Sequence, residues 1–273
     1  MKIVVTGAGG RLGRHVVREL AGAGHEVTGI DKVASGESPV RMLTLDLLDA
    51  PRIMSALVGA EAVVHLGNHI DPTAAVPDPA YNQNVVMNFN VFEAARVAGV
   101  RRLVFASSVQ AMTGDRRRSD PPAPSRLPWF PLDGDHPAIP TNPYALSKAA
   151  GEDMLRYYAR KGAVSAVAIR FPKLTVEPPP PEGWQWDEAR LDEAFTWLTF
   201  ADGARLVVAA LAAAPVGFRV YFPAAPRPWM AGEVEALRQL YFPKVPVKGG
   251  GALRSFVDGS AISRETGWAP RDL

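Results

Sequence analysis

Three features of this 273-residue chain predict an α/β fold, a doubly wound parallel sheet with helices on both faces. Short β-branched runs alternate with segments of helix-spaced apolar residues between Lys2 and Phe171. The strand segments are nearly continuous apolar runs, as expected for parallel strands that are buried on both faces. A glycine-rich turn at Gly7–Gly13 joins the first strand to the first helix. In such folds, ligands bind at the carboxyl ends of the strands.

The elements follow from the local pattern, in chain order. Apolar, β-branched runs predict strands at Lys2–Thr6, Glu26–Asp31, Val40–Leu45, Ala62–Leu66, Arg102–Ala106 and Val164–Phe171. Apolar residues at helical spacing predict helices at Arg11–Ala21, Ile53–Val58, Asn82–Val97 and Tyr144–Arg160. Asn142-Pro143 reads as an N-cap followed by proline at the first position of the last helix. We expect Gly203–Ala214 and Phe218–Phe222 to return to the core.

Two proline-rich stretches interrupt the alternation. Asp115–Pro143 carries eight prolines, too many for regular structure, and so long a loop is usually functional, so we expect it to form one wall of a substrate cleft. Its run Arg116–Arg118 fits either a solvated basic turn, the commoner case, or a site for an anionic substrate. Pro178–Pro181 is predicted to leave the sheet. The expected division is a sheet domain at residues 1–175, completed by about 203–223, and a small substrate-binding cap at 176–202 and 224–273.

Composition narrows the functional classes. Apolar residues make up 47% and charged residues 21% of the chain, as in an ordinary globular protein. A formal charge of +2, without a basic stripe, gives no reason to expect nucleic acid, and the lack of cysteine excludes disulfides and thiolate metal sites. The longest apolar run, Leu206–Val216, is too short to span a bilayer, and Met1–Val5 leaves no room for a signal peptide. We therefore expect a cytoplasmic protein without membrane contact.

The glycine turn predicts a dinucleotide site. Gly7, Gly10 and Gly13 form a G-x-x-G-x-x-G pattern between a strand and a helix. The first two glycines let the backbone approach a pyrophosphate, and the third lets the helix pack on the strand. The helix N-terminus attracts the phosphates. We therefore expect a Rossmann domain, with Arg11 and Leu12 among the residues that contact the cofactor.

Two acidic residues at strand ends bear on the choice of cofactor. Asp31 lies 18 residues beyond Gly13, where a carboxylate accepts hydrogen bonds from the adenosine ribose and repels a 2′-phosphate. NAD is therefore favoured over NADP, although Lys32 and Arg11 would offset part of the repulsion. Asp46 follows the third strand and either meets the adenine edge or N-caps the next helix. Both interpretations stay open.

Tyr144 and Lys148 are the predicted catalytic pair. Four residues apart on a helix, they lie on the same face, one turn from each other. A phenol titrates at about 10 in water, and a neighbouring ammonium favours the phenolate. In the first turn of the helix, the dipole favours the phenolate too. Such a tyrosine can pass a proton to or from a substrate hydroxyl.

These residues together resemble the extended short-chain dehydrogenase/reductase family, also called the NAD-dependent epimerase/dehydratase family. The resemblance covers most of the chain. The segments that carry it are Thr6–Gly13, Asp46-Leu47, Val64–Gly67, Asn84-Val85 with Asn90–Ala95, Phe105–Ser108, Tyr144 with Lys148, Phe200–Arg205 and Gly267–Pro270.

The resemblance implies roles for individual residues. Ser108 is expected to position and polarise the substrate oxygen, and Tyr144 to act as general acid/base. Lys148 is expected to lower the pKa of that phenol and to hydrogen-bond the nicotinamide ribose. Further cofactor contacts are implied for Asp46 and Leu47 at the adenine, for Leu66 and Gly67 along the fourth strand, and for Asn84, which would bend its helix and anchor a water.

Departures from the family pattern limit the substrate. Val109-Gln110 follows Ser108 where dehydratases of the family carry an Asp-Glu pair, which argues against sugar dehydration. Among shorter members, the chain is most similar to uronate dehydrogenases, but those enzymes carry Asn-His at this position. The residues therefore do not identify a uronate as the substrate. The candidate substrate contacts are Ser107, which fits a buried, backbone-bonded hydroxyl better, and Val109, Gln110 and Lys173.

Three functions remain open at this point. The favoured one is an NAD-dependent oxidoreductase that moves hydride to or from a hydroxyl carbon of a sugar, sugar acid or similar polyol. The alternatives are a sugar or nucleotide-sugar epimerase and a non-catalytic NAD(P)-binding regulator. The intact serine, tyrosine and lysine disfavour the regulator. His65 and His69 lack carboxylate partners at ligand spacing, so no metal is expected. An exposed apolar helix pair is compatible with a homodimer.

Overall fold

The computed structural model describes residues 1–33, 38–70, 79–113, 127–162, 164–184, 191 and 193–271. The strands of its main sheet are β1 (Lys2–Thr6), β2 (Glu26–Asp31), β3 (Arg41–Thr44), β4 (Ala62–His65), β5 (Arg102–Ser108), β6 (Ser165–Phe171) and β9 (Phe218–Tyr221). They pair in parallel in the order β3-β2-β1-β4-β5-β6-β9. A separate parallel pair joins β7 (Lys173–Thr175) and β8 (Trp197–Thr199). The predicted doubly wound parallel sheet is confirmed.

Helices cover both faces of this sheet. They are α1 (Arg11–Gly22), α2 (Ala50–Ala56), α3 (Pro79–Val97), α4 (Gln110–Thr113), α5 (Pro143–Lys161), α6 (Phe200–Ala213), α7 (Val234–Tyr241) and α8 (Ser260–Thr266). One apolar core joins α1, α6 and α8 to the sheet, and a second joins α2, α3 and α5. No helix within the described ranges is long and apolar enough to cross a bilayer.

Side-chain caps set where three of the helices begin. Asp49 is the N-cap of α2, its carboxylate accepting from Arg52 N at 3.2 Å, so this helix begins three residues earlier than Ile53. Thr199 caps α6 in the same way, accepting from Asp202 N at 3.1 Å. The predicted N-cap Asn142 is confirmed, since its side chain accepts from Ala145 N at 2.8 Å.

A third apolar cluster, the aromatic cluster, lies beyond the sheet. Its members include Phe130, Phe195, Trp197, Trp229, Phe242 and Phe256, all 4% exposed or less. They come from segments on both sides of the expected boundary near residue 175, and the division into a Rossmann domain and a cap stays a prediction.

The described part of the proline-rich stretch packs on this aromatic cluster. Residues 114–126, with the run Arg116–Arg118, lie outside the described residues. Phe130 N donates to Pro246 O and Leu132 N to Phe256 O, both at 2.8 Å. This backbone pairing attaches the stretch to the C-terminal part of the chain.

A buried ion pair joins α5 to β6. Arg170 donates from Nε and Nη2 to the two carboxylate oxygens of Glu152, at 2.9 and 2.7 Å, and both side chains are 3% exposed. Arg170 also donates to the carbonyl of His136 at 2.7 Å, and Ser107 Oγ donates to Glu152 at 2.6 Å. This bidentate geometry satisfies both desolvated charges.

We expect Arg170→Met to destabilise the protein by about 3 to 5 kcal/mol, because it leaves the Glu152 carboxylate buried without its counter-ion. Urea unfolding measures the loss. The matched control is Arg156→Met on α5, the helix that carries Glu152. It removes an exposed ion pair with Asp153 and should lower the free energy of unfolding much less. Equal losses in the two variants would contradict the importance of the buried pair.

Candidate active site

A cleft of about 760 Å³ lies at the carboxyl ends of the central strands. Gly7 follows β1, Asp31 ends β2, Leu66 follows β4, Ser108 ends β5 and Phe171 ends β6, and all five residues line the cleft. This is the edge of a doubly wound sheet at which ligands bind. Its volume is within the range of small-molecule sites.

The glycine turn forms one end of the cleft as a cradle of backbone. Gly7 has φ +69°, and a Cβ on it would lie 2.7 Å from Gly67 N. A Cβ on Gly13 would collide with the carbonyl oxygen of Gly7. Gly10 is the N-cap residue of α1, so the first amides of that helix are available to a ligand. With Arg11 and Leu12 also in the wall, the cradle fits the pyrophosphate of a dinucleotide.

Asp31 is oriented by the same turn. Its Oδ2 accepts from Gly9 N at 2.9 Å and its Oδ1 from Val33 N at 3.3 Å. The carboxylate lines the cleft together with Lys32 and Arg11, the two cations that bear on a 2′-phosphate.

Asp46 and Leu47 both line the cleft. Asp46 Oδ1 accepts from Leu48 N at 2.9 Å, in a local turn before α2. The N-cap interpretation of Asp46 is wrong, because Asp49 holds that position. Leu47 packs against Gly67, where a Cβ would lie 2.6 Å from the leucine Cδ1.

The three predicted catalytic residues line one cleft. Ser108 and Tyr144 are each 8% exposed, and Lys148 is 3% exposed. Ser108 Oγ accepts from Gln110 N at 3.2 Å, which fixes the hydroxyl at the end of β5. The cap at Asn142 places Tyr144 in the first turn of α5. The structure therefore brings together a hydroxyl, a phenol and an ammonium.

The ammonium of Lys148 is held by two acceptors. Nζ donates to Ala106 O at 2.7 Å and to Asn68 Oδ1 at 2.8 Å. It lies 5.6 Å from the ring centre of Tyr144 and 4.9 Å from that of Phe105. Burial lowers the pKa of Lys148 to about 7. Both protonation states are therefore populated near neutral pH.

Asn84 lies behind the cleft and not in its wall, contrary to its expected contact with the cofactor. It is fully buried in α3. Its Oδ1 accepts from His69 N at 2.7 Å, and its Nδ2 donates to His69 O and Ser147 Oγ, both at 3.0 Å. Because these partners occupy the carboxamide, Asn84 ties the segment after β4 to α5.

Three of the four candidate substrate contacts line the cleft: Ser107, Gln110 and Lys173. Ser107 bonds to the Glu152 carboxylate and not to backbone. The Lys173 ammonium lies 3.8 Å from a ring centre of Trp184. Val109 is wrong as a substrate contact, because its side chain is 2% exposed and packs in the aromatic cluster.

The expected wall from the proline-rich stretch is not observed for its described part. Residues 127–143 contribute nothing to the lining of the cleft. Their apolar side chains, such as Leu127 and Phe130, are buried in the aromatic cluster instead. Burying these large apolar side chains in the cluster gains more free energy than placing them in a polar cleft would.

The cleft also holds residues that the sequence did not single out, among them Asn68, Gln83 and Glu193. Asn68 directly follows the Val64–Gly67 motif, so a polar side chain at that place was an available signal. Gln83 and Glu193 reach the cleft only through tertiary packing.

The two histidines of interest have protein partners. His65 is fully buried, and its Nε2 lies 2.9 Å from Asn88 Oδ1. His69 Nε2 lies 2.7 Å from Gln83 Oε1. Among the residues that the structure describes, no group of three His, Cys, Asp or Glu side chains could hold a metal ion.

Comparison with known proteins decides the family. The model of the NAD dependent epimerase/dehydratase family matches residues 3–178. The chain belongs to this family. It is an NAD-dependent enzyme of the extended short-chain dehydrogenase/reductase type, and the glycine cradle and Asp31 are in place for that cofactor.

Relatives within this NAD dependent epimerase/dehydratase family differ in activity. The chain is 30% identical over 213 residues to an NAD-dependent glucose-6-phosphate dehydrogenase of Haloferax volcanii, covering 75% of this chain and 78% of the relative. It is 28% identical over 226 residues to a uronate dehydrogenase of Pseudomonas putida, covering 82% and 76%. The UDP-glucose 4-epimerase of Thermus thermophilus, solved in complex with NAD, has the same fold, with a TM-score of 0.70, 24% identity and coverage of 99% and 94%.

We expect this family member to bind NAD at least about tenfold more tightly than NADP, because Asp31 would face the 2′-phosphate. Asp31→Asn keeps an acceptor for Gly9 N and removes the negative charge. It should therefore reduce the difference in affinity between NAD and NADP, chiefly by improving NADP binding. Calorimetric titration of both cofactors measures the ratio. Equal affinities in the unmodified protein would contradict this expectation and would indicate that Lys32 and Arg11 offset the repulsion between Asp31 and the 2′-phosphate.

Proposed function

We propose that the protein is an NAD-dependent dehydrogenase that acts on a hydroxyl carbon of a sugar, sugar acid or similar polyol. The observation that carries the proposal is the meeting of Ser108, Tyr144 and Lys148 in the cleft that also holds the glycine cradle. Its sugar dehydrogenase relatives support the substrate class.

The chemistry assigned to the chain is proton transfer beside hydride transfer. Bound NAD supplies the hydride acceptor. Tyr144 Oη takes the proton from the substrate hydroxyl, and Ser108 Oγ holds the same oxygen in place. The Lys148 ammonium stabilises the phenolate that begins the step. Near-complete burial of all three groups strengthens these interactions.

Residues that line the cleft are assigned here to the parts of the cofactor that they would contact. Gly7, Gly10 and Gly13, with Arg11 and Leu12, cradle the pyrophosphate, and Asp31 binds the adenosine ribose. Asp46 and Leu47 border the adenine, and the backbone at Leu66 and Gly67 lines the cofactor. All of these residues line the cleft.

A sugar epimerase is the second candidate. It would use the same hydroxyl, phenol and ammonium but show no net change of cofactor. A relative supports this candidate, since the chain is 34% identical over 171 residues to a UDP-glucose 4-epimerase of Mycolicibacterium smegmatis, covering 58% of this chain and 51% of the relative.

A panel of neutral sugars, sugar acids and sugar phosphates, each mixed with NAD, separates the two candidates. Absorbance of reduced nicotinamide reports dehydrogenation, and chromatography of the sugars reports epimerisation. The acids and phosphates belong in the panel because Lys173 places a cation in the cleft wall. Epimerised product without reduced cofactor would overturn the dehydrogenase.

We expect Tyr144→Phe to lower kcat by ~10² or more while folding and NAD binding stay nearly intact, as for loss of a positioned general acid/base. Tyr81→Phe is the matched control, since that phenol lies on α3 and does not line the cleft. Steady-state kinetics on the best substrate gives the comparison. A Tyr144→Phe enzyme with most of its turnover would place the chemistry elsewhere.

We also propose that the protein forms a homodimer through the outer face of α3 and α5. Val86 and Val97 on α3 are 46% and 56% exposed, and Leu146 and Tyr157 on α5 are 45% and 46% exposed. Each pair is separated by three helical turns, so its members share a side. Phe89, 53% exposed, lies on α3 between Val86 and Val97 along the chain. Adjacent apolar faces of this kind mark association surfaces.

We expect Phe89→Glu to shift the protein from dimer to monomer, because a charge at the centre of an apolar interface is costly. Light scattering after size exclusion measures the mass. Val216→Glu is the control, at a residue 90% exposed just before β9. A monomeric unmodified protein would refute the dimer.

A further inference from the structure

A chain of polar side chains connects Lys148 to the strand before the glycine turn. Lys148 Nζ donates to Asn68 Oδ1 at 2.8 Å, and Asn68 Nδ2 donates to Asn88 Oδ1 at 3.0 Å. The same oxygen of Asn88 lies 2.9 Å from His65 Nε2. His65 Nδ1 in turn lies 2.6 Å from Thr6 Oγ1. The five side chains thus link α5, the segment after β4, α3, β4 and β1.

When Lys148 is charged, only one proton arrangement fits this chain. An ammonium has no acceptor, so Asn68 must present its oxygen to Lys148 and its amide to Asn88. The Asn88 oxygen accepts from that amide, so His65 must donate to it from Nε2. The unprotonated Nδ1 of His65 then accepts from the Thr6 hydroxyl.

Burial keeps the chain in this state. Thr6, His65 and Asn88 are fully buried, whereas Asn68 reaches the cleft wall. Desolvation and the nearby Lys148 charge lower the pKa of His65 to about 3, so the ring is neutral near neutral pH. The ring stacks on Phe105 at 5.6 Å between centroids, which fixes its orientation.

We propose that Asn68 is a positioning residue that holds the Lys148 ammonium for catalysis, with Asn88, His65 and Thr6 as its support. The inference rests on the proposed roles of Tyr144 and Lys148. Asn68 and the Ala106 carbonyl take two of the three N–H groups of the ammonium. The third N–H is left for the nicotinamide ribose. A catalytic cation with fixed neighbours is preorganised for its task.

The charged and titratable groups around Lys148 set the direction of the test. Tyr144 and Glu152 lie on its own helix, and His65 faces it from β4. Burial lowers the Lys148 pKa, and the Glu152 charge raises it in part. A carboxylate at position 68 would add a contact anion and raise that pKa. An apolar residue there would remove an acceptor of the charged form and lower it further.

NMR of ε-¹³C-lysine-labelled apoprotein, titrated with acid and base, measures this pKa without a substrate. The Lys148 signal is the one lost in Lys148→Met, and its midpoint is expected near 7. Asn68→Asp should raise the midpoint by about one unit or more, and Asn68→Leu should lower it. Gln83→Glu is the control, because it makes the same change of charge in the cleft wall at a residue bonded to His69. Its shift should be clearly smaller.

Kinetics with an active substrate gives the second measurement. In Asn68→Leu, the loss of kcat/KM should grow as pH rises, because more of the lysine becomes neutral. A merely structural role would lower kcat/KM equally at all pH values. Circular dichroism and NAD binding check that the variants are folded.

An unchanged Lys148 midpoint in both Asn68 variants, or a shift equal to that of Gln83→Glu, would overturn the positioning role. Shifted midpoints in an enzyme that acts on none of the sugars would count against the proposed function alone, and would leave the contact between Asn68 and Lys148 supported.

Discussion

The docking of α5 on the sheet is the constraint on which the site depends. Tyr144, Lys148 and Glu152 follow one another at intervals of one turn, and all three are nearly buried on the face toward β5. A buried polar group needs its own partner, and here β5 and β6 supply Ala106 O for the ammonium and Ser107 and Arg170 for the carboxylate. A helix with an apolar stripe could slide or rotate, whereas this polar stripe fits the sheet in one register. The position of the phenol in the cleft follows from that register.

The two ends of the cleft are built in different ways. The end at the glycine turn is made of backbone, and its shape comes from residues without a Cβ, such as Gly7 and Gly13, at which any side chain would strike main-chain atoms. The end at Tyr144 is made of side chains whose positions depend on their hydrogen bonds. Backbone cradles bind a feature common to all dinucleotides, while side chains can differ between relatives. This fits a family whose members share a cofactor and act on different sugars.

Large aromatic side chains decide the path of the chain beyond the sheet. Phe130 and Leu132 draw the described end of the proline-rich stretch onto the segment around Phe256, away from the cleft. Val109 is buried in the same cluster, although it directly follows Ser108 in the chain. The sequence shows these residues as neighbours of the site along the chain. They nevertheless pack in a core. The free energy gained by burying a large apolar side chain determines where it lies, whatever its distance from the site along the chain.

The sequence alone determined the fold class, the main strands, the cofactor turn and the pair Tyr144 and Lys148, because each has a local signature: period, glycine spacing or helical spacing. The tertiary structure alone decided what surrounds them. Asn68 only follows a motif and Glu152 belongs to none, and both matter because a buried ammonium and a buried guanidinium require acceptors from other elements. Local patterns report what a segment can form by itself. The partners of a buried charge are fixed only when segments far apart in the chain pack together, and that packing is a property of the whole fold.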